Sequence, residues 1–395
     1  MKRIAALLIL GASLPVAADE PSRFSFSGFG TVGAVRTSND VLGFRSSVVQ
    51  DTGPGRAFDT SVDSVIGVQG SAHLTGKSDI TLQVVSHKGP DDAFTPQVTW
   101  SFLRTQLLPE LSVRAGRMRT PFFMFSDALH VNFITPWVRP PVEVYSLNPF
   151  SSVDGVDALY RTEAGPMDIE VQGVFGKSSL GIHGGTVKLR AIRTFNVAAS
   201  GHGLTLHAGY TTANLDVHWG DQPSQNLLAA LNATGFGAIA DELNGTGAKA
   251  SFTSAGFQYD RDHWLLIGEF ARRDASHFIS SAQGWYFTAG YRVGSVTPYV
   301  TYARQLETAP VTSSTVPIPA LQTGLDLFNT SRRNAQRTEG IGVRWDFARN
   351  FALKGQFDLI RPGPDGLGIF VSPPAGYLTP SGPIHVLSLS VDVVF

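Results

Sequence analysis

Charged side chains are few in this chain, and where they occur in its longest patterned stretches they keep a beat of two. Asp, Glu, Lys and Arg make up 16% of the 395 residues, against about 25% in an ordinary soluble domain. Phe351, Leu353, Phe357 and Leu359 alternate with Ala352, Lys354, Gln356 and Asp358, and Ile341, Val343, Trp345 and Phe347 alternate with Gly340, Gly342, Arg344 and Asp346. At the end of the chain His385, Leu387, Leu389, Val391, Val393 and Phe395 stand opposite Val386, Ser388, Ser390, Asp392 and Val394. A period of two is the period of a β-strand. Rows of both signs on one face do electrostatic work: lining a narrow wet passage, they select what goes through it, and no bond is made or broken. Alternation assigns Lys188, Arg190, Arg292, Arg344 and Lys354 to this wall as cations. Asp168, Glu170, Glu269, Asp346, Asp358 and Asp392 join them as anions.

No other chemistry assembles from the sequence. The ten histidines lack metal-ligand spacing and there is no cysteine, so neither a metal centre nor a disulfide frame is expected. Gly28-Phe29-Gly30 lies inside a strand pattern, where it serves twist or packing rather than a phosphate cradle. No Ser/His/Asp spacing suggests a nucleophile, and no catalytic residue or cofactor is assigned. A net charge of −1 argues against nucleic acid as a partner.

The elements that must position the charges are short and numerous. Met1-Lys2-Arg3, the apolar run Ile4–Leu14 and Pro15-Val16-Ala17-Ala18 have the order of a cleavable export signal, giving 1–18 as signal peptide and 19–395 as one domain. The apolar run is too short to span a bilayer, which takes about 20 residues, and no later run is long enough. Sixteen strands are expected, from 24–36 to 385–395, with 14 or 18 as the neighbouring counts. Short turns near 75–78, 108–110, 163–166, 200–203, 261–263, 294–295 and 348–350 alternate with long Gly/Pro/Asn-rich loops at 37–61, 88–97, 118–155, 176–184, 213–247, 274–283, 307–336 and 361–384. Even strand number with short turns at one end and long loops at the other fits a transmembrane antiparallel up-and-down β-barrel, all-β in class. Such a sheet is turned inside out, with apolar residues facing lipid and the Ser388/Asp392 side facing water. It must close, because open strand edges in hydrocarbon cost several kcal/mol per polar group. Trp100, Trp264, Trp285, Trp345, Tyr259, Tyr291 and Tyr302 are candidates for the interfacial aromatic girdles. Gly28 and Gly30, on the lipid side, read either as a protomer contact or as strand-bending positions.

Three stretches carry a family resemblance. The terminal Val391-Asp392-Val393-Val394-Phe395 resembles the last strand of Gram-negative outer-membrane proteins, which implies that Phe395 is read by the barrel-assembly machinery. Leu111–Pro121, with Arg114, Arg117 and Arg119, is similar to the strand entering the third loop of trimeric porins. Pro136–Tyr145 and Ser152–Tyr160 resemble a branch of uncharacterised bacterial porins, and the layout of the chain resembles the phosphate-selective porins. The arginine ladder of that last group cannot be traced here.

The loop 118–155 is the strongest candidate for a constriction. It holds Phe122, Phe123, Phe125, Phe133, Trp137, Tyr145 and Phe150, too apolar for an outward loop, and the porin resemblance implies an inward-folded third loop. Pore-constriction candidates are Arg117, Arg119 and Arg139 with Asp127 and Glu143; Arg139 and Glu143 can equally form a structural pair. The function expected is an outer-membrane porin, a water-filled channel for passive diffusion of small hydrophilic solutes and ions. A substrate-specific channel for an organic acid or inorganic anion is the alternative. An outer-membrane enzyme would need a catalytic constellation on the rim. Expected partners are outer-membrane lipid and lipopolysaccharide, two further copies in a homotrimer, the assembly machinery and small polar solutes.

Overall fold

A computed structural model describes residues 23–182, 185–245, 247–364, 366–371 and 382–395. The signal peptide expected at 1–18 lies outside them. The sheet is a single closed barrel of sixteen antiparallel strands: β1 (Phe24–Thr37), β2 (Val65–Thr75), β3 (Ser78–His87), β4 (Gln97–Gln106), β5 (Leu111–Arg119), β6 (Ser152–Ala164), β7 (Met167–Ile182) and β8 (Gly185–Gly201), then β9 (Leu204–Trp219), β10 (Ala248–Arg261), β11 (Trp264–Ala275), β12 (Ser281–Tyr291), β13 (Val296–Ala309), β14 (Gln336–Ala348), β15 (Phe351–Pro362) and β16 (Ile384–Val394). Each strand pairs with its neighbours in sequence, and β1 closes on β16 in the register Gly30↔Val393 to Thr37↔Val386. The terminal Phe395 extends the seam by exchanging backbone hydrogen bonds with Gly28 at 2.7 and 2.9 Å. Its ring lies over Gly28, where a Cβ would come within 2.3 Å of it. Gly28 is therefore a seat for the chain end.

Turns at one end are tight. Gly203 at φ +81° follows His202 in the β8–β9 turn, and Gly294 at φ +62° serves the β12–β13 turn, a conformation glycine adopts without steric cost. At the other end the strands of one sector run longer than expected. Residues 176–182 and 213–219, expected as loop, continue β7 and β9. Their outward residues are polar there, so the apolar half of the alternation moves to the inward face and the strand signal inverts.

The outer surface carries the apolar belt. Val32, Ile66, Leu82, Phe175, Phe195, Val300, Ile341, Phe357 and Leu389 are exposed while their strand neighbours are not. Exposed apolar side chains all round a closed sheet form the lipid-facing surface of a membrane barrel, since a water-soluble surface rarely gathers more than a few hundred Å² of contiguous apolar area. Aromatic pairs mark both margins: Trp264 on Tyr291 and Phe347 on Phe351 near the tight turns, Trp285 on Tyr302 toward the long loops. Trp100 is not in a girdle; it sits at a register break between β3 and β4 and packs against the interior cluster.

Over the long-loop end, helices α2 (Gln222–Ala233), α3 (Gly237–Asn244) and α4 (Pro319–Thr330) form a small satellite core with Leu231, Leu243, Val316, Leu325 and Phe328. Asp221 caps α2 through Ser224 N–H at 3.0 Å. All three helices lie within stretches expected as long loops, 213–247 and 307–336.

Candidate functional site

The long connection between β5 and β6 folds into the barrel. Phe122, Phe123, Phe125, Trp137, Val138, Val144 and Leu147 are buried there, against residues such as Phe252, Ile267, Tyr286 and Ala303 from the inward face of the wall. The Trp137 indole makes edge contacts with Phe125 and Tyr286 and donates to Thr288 Oγ1 at 2.9 Å. An apolar loop can sit in a polar lumen because these wall strands present apolar residues inward at loop level.

Polar side chains then fix the loop backbone. On the β14–β16 side, Lys354 Nζ donates to the carbonyls of Asn132 (2.6 Å) and Trp137 (2.8 Å), and Arg344 Nη1 donates to those of Phe133 (2.5 Å) and Thr135 (2.9 Å). On the β8–β11 side, Asn196 donates to Pro121 O at 2.7 Å, Glu269 accepts from Met124 N–H and the Tyr145 hydroxyl, both at 2.9 Å, and Arg273 donates to Leu147 O at 2.7 Å. The one-turn helix α1 (Val142–Tyr145) lies on β12 at Gly284, where a Cβ would stand 2.0 Å from Glu143 O. Only a glycine lets the loop come this near.

Three of the five constriction candidates are buried and a fourth points outward. Arg139 is buried, with two parallel bonds to Asp63 (2.7 and 2.5 Å), one to Ser388 Oγ (2.6 Å), and Asp358 at 3.7 Å. Glu143, also buried, accepts from Gln336 Nε2 at 2.7 Å and from the Thr338 hydroxyl. The two do not pair with each other; each ties the loop to the wall. Arg119 is buried where β5 leads into the loop, within reach of Gln83. Arg117 points outward and pairs with Asp154 at 2.6 and 2.8 Å. The left-handed Gly116 just before it marks a break in β5 that alternation alone does not register.

Asp127 differs from all of these. It is exposed, yet it lies within electrostatic range of Arg114, Glu170, Arg119 and Asp157. Arg114 and Asp157 face inward on β5 and β6, joined at 3.0 and 2.5 Å, with Gln172 on Asp157 at 2.8 Å. Arg104 with Asp79 (3.9 Å) and Arg161 with Glu170 (2.7 Å) line the same wall. Asp127 thus lies toward a wall of mixed sign on β5–β7. Arg104 and Arg114 escaped sequence assignment, although each lies two residues from an inward neighbour, Phe102 and Ser112.

The rest of the expected lumen wall divides. Glu269, Arg344, Lys354 and Asp358 face inward but are taken up by the loop, and Asp346 holds Arg344 at 2.7 Å. Arg292 lies at the tight-turn rim on Asp260. Lys188 and Arg190 face outward, since Val187 and Leu189 between them occupy the interior cluster. The side expected to border water at Ser388 and Asp392 is fully buried, with Asp392 2.8 Å from Lys354, itself 0% exposed. The loop fills that half of the lumen. What covers it is a charged and hydrogen-bonded network, not a dry apolar core.

With this geometry the chain shares the architecture of solved membrane barrels. Salmonella typhi OmpF in complex with daunomycin aligns over 94% of this chain and 97% of its own, at 11% identity and a TM-score of 0.57. An anion-selective porin from Comamonas acidovorans aligns over 94% and 99%, at 12% identity and 0.55. The outer membrane channel DcaP of Acinetobacter baumannii aligns over 96% and 100%, at 9% identity and 0.56. At such identities the likeness is one of fold. No protein-family model and no curated protein sequence matches the chain.

Proposed function

We propose that this chain is a porin of a Gram-negative outer membrane, a water-filled channel through which small hydrophilic solutes and ions diffuse passively. Asp127 carries the reading: an exposed carboxylate inside a closed barrel, on a loop anchored to the opposite wall, within electrostatic range of Arg114. Sixteen strands are too many for side chains to fill, and an inward loop narrows the remainder to a gap where single charges matter. Both signs border that gap, which favours general diffusion over a dedicated anion path. The terminal residues support export with removal of 1–18 and recognition of Phe395 by the assembly machinery, and the trimer form of a solved barrel of like fold, OmpT of Vibrio cholerae, supports a homotrimer.

The test is conductance. Refolded protein in planar bilayers should give discrete steps whose cation/anion permeability ratio moves toward anions in Asp127→Asn. A preparation that is folded by heat-modifiable migration but silent at every voltage would overturn the proposal.

A further inference from the structure

Among the described residues three arginines are more than nine-tenths buried: Arg119, Arg139 and Arg273. Two of them are matched. Arg139 has the carboxylate of Asp63, and Arg273 gives its donors to the carbonyls of Ser280 and Leu147. Arg119, at the end of β5, is not. Its Nε and Nη1 have no hydrogen-bond partner among the described residues. Its Nη2 reaches only Gln83 Oε1, at 3.4 Å, beyond the usual length of such a bond. That oxygen already accepts from the Thr99 hydroxyl at 2.8 Å. The carboxylate in electrostatic range of Arg119 is Asp127, which is exposed and not bonded to it.

The inward loop adds to this cluster. The ring of His130 lies on that of His87, the last residue of β3, with 4.7 Å between centroids and 30° between planes. Both imidazoles stand in electrostatic range of Arg119. His87 turns Nδ1 to the carbonyl of Lys88 at 3.1 Å, whereas His130 Nε2 is buried without a partner, as is the Thr120 hydroxyl. The unmatched polar atoms of Arg119, Thr120 and His130 thus belong to one stretch, where the chain leaves β5 and enters the lumen. Water can supply hydrogen bonds to such atoms, but not charge. An arginine keeps its proton at any ordinary pH, and an ion buried without a counter-ion is strongly disfavoured. One unpaired positive charge calls for one negative charge.

We propose that the root of this loop holds a monovalent inorganic anion of chloride size, bound by the Arg119 guanidinium with His130 Nε2–H as a further donor. The anion is a resident part of the barrel, set between β3, β5 and the loop, and is not a solute in transit. A divalent oxyanion would reverse the charge imbalance in the same buried place. An organic acid would bring a carbon chain among Gln83, Thr99 and Thr120, all buried. The inference rests on the loop lying inside the barrel but not on conduction, so the two can fail separately.

The probe is chloride itself. Urea unfolding of the refolded barrel is followed by tryptophan fluorescence at constant ionic strength, while chloride replaces gluconate, an anion too large for the site. Above its dissociation constant a single bound ion raises the folded-to-unfolded ratio in proportion, about tenfold for each tenfold of chloride. The wild type should show that slope. Arg119→Gln should be flat, and Arg119→Lys should keep a slope. Asp127→Asn removes the competing negative charge and should move the rise to lower chloride. Where Arg119→Gln does not fold, the wild type decides: crystals grown in bromide should show an anomalous peak beside Arg119 and His130. A wild-type ratio indifferent to chloride, a slope that survives in Arg119→Gln, or bromide peaks confined to the exposed surface would overturn the proposal. Chloride dependence in a barrel that conducts nothing would overturn the channel reading and leave this one standing.

Discussion

Arg139→Gln separates an anchor from a selectivity residue. The guanidinium bridges three parts of the barrel: Asp63 ahead of β2, Ser388 on β16 and Asp358 on β15, with the Phe44 ring 4.8 Å from its centre. Substitution leaves two carboxylates in a buried setting with their cation gone. Breaking a buried pair from one side costs about 3–5 kcal/mol, and the residual hydrogen bonds of the glutamine amide place this case near the lower figure, about 3 kcal/mol. Asp63→Asn alone should cost less, because Asp358 still faces the arginine. The double variant should recover part of the loss, with a coupling of at least about 1 kcal/mol. Urea titration of the barrel in lipid vesicles, followed by tryptophan fluorescence, measures all three. The loop keeps its other anchors, Lys354, Arg344, Glu269 and Arg273, so the permeability ratio of folded Arg139→Gln should stay at the wild-type value. A variant as stable as the wild type whose ion selectivity has shifted would refute the anchor assignment.

Asp127→Lys should carry the permeability ratio further toward anions than Asp127→Asn, and reversal potentials across a salt gradient read both. Gly284→Val places side-chain atoms where Glu143 O now lies, so α1 must move by more than 1 Å to regain ordinary contact; single-channel conductance should change in size or grow noisy, and a trace identical to wild type would put α1 elsewhere. Gly28→Leu should lower the folded fraction by evicting the Phe395 ring, checked by heat-modifiable gel migration. Outside the membrane, burial alone would raise the Asp92 carboxyl, but the Thr52 hydroxyl (2.6 Å) and Lys88 (3.2 Å) outweigh it and hold it below the usual range. A depressed carboxylate stabilises above its unfolded value, about 4, and loses that contribution as pH falls through its folded value; proteolysis of loop 38–64 should quicken in that acid window, and Asp92→Asn should show the faster cleavage already at neutral pH.

Strand number and order were legible because lipid imposes strict alternation wherever a strand crosses it: β14, β15 and β16 read correctly from the alternating rows through Ile341, Phe357 and Leu389. Legibility fades above the belt. Lys188 and Arg190 belong to β8 beyond the lipid, where the outward side is polar and the inward side, Val187 and Leu189, is apolar. The rule that charge means lumen assigns both to the wrong face. Local breaks hide other residues: the unusual backbone at Gly116 stands between Arg114, which faces the lumen, and Arg117, which faces out. Which charges a folded loop consumes is a tertiary matter, decided by carbonyls at 132, 133, 135 and 137 that no pattern announces.

The same consumption explains the division of labour in the lumen. Loop backbone brought inside a barrel exposes carbonyls and N–H groups that need partners, since an unmatched buried polar group costs on the order of 1–3 kcal/mol. Lys354 and Arg344 supply donors and Glu269 an acceptor, and each is thereby removed from the set that a passing ion could meet. The charges left over face the other way, on β3–β7 and at Asp127. On the proposed channel reading, selectivity would then be set by the charges that holding the loop does not use, and a substitution at Lys354 should loosen the loop rather than act directly on permeability.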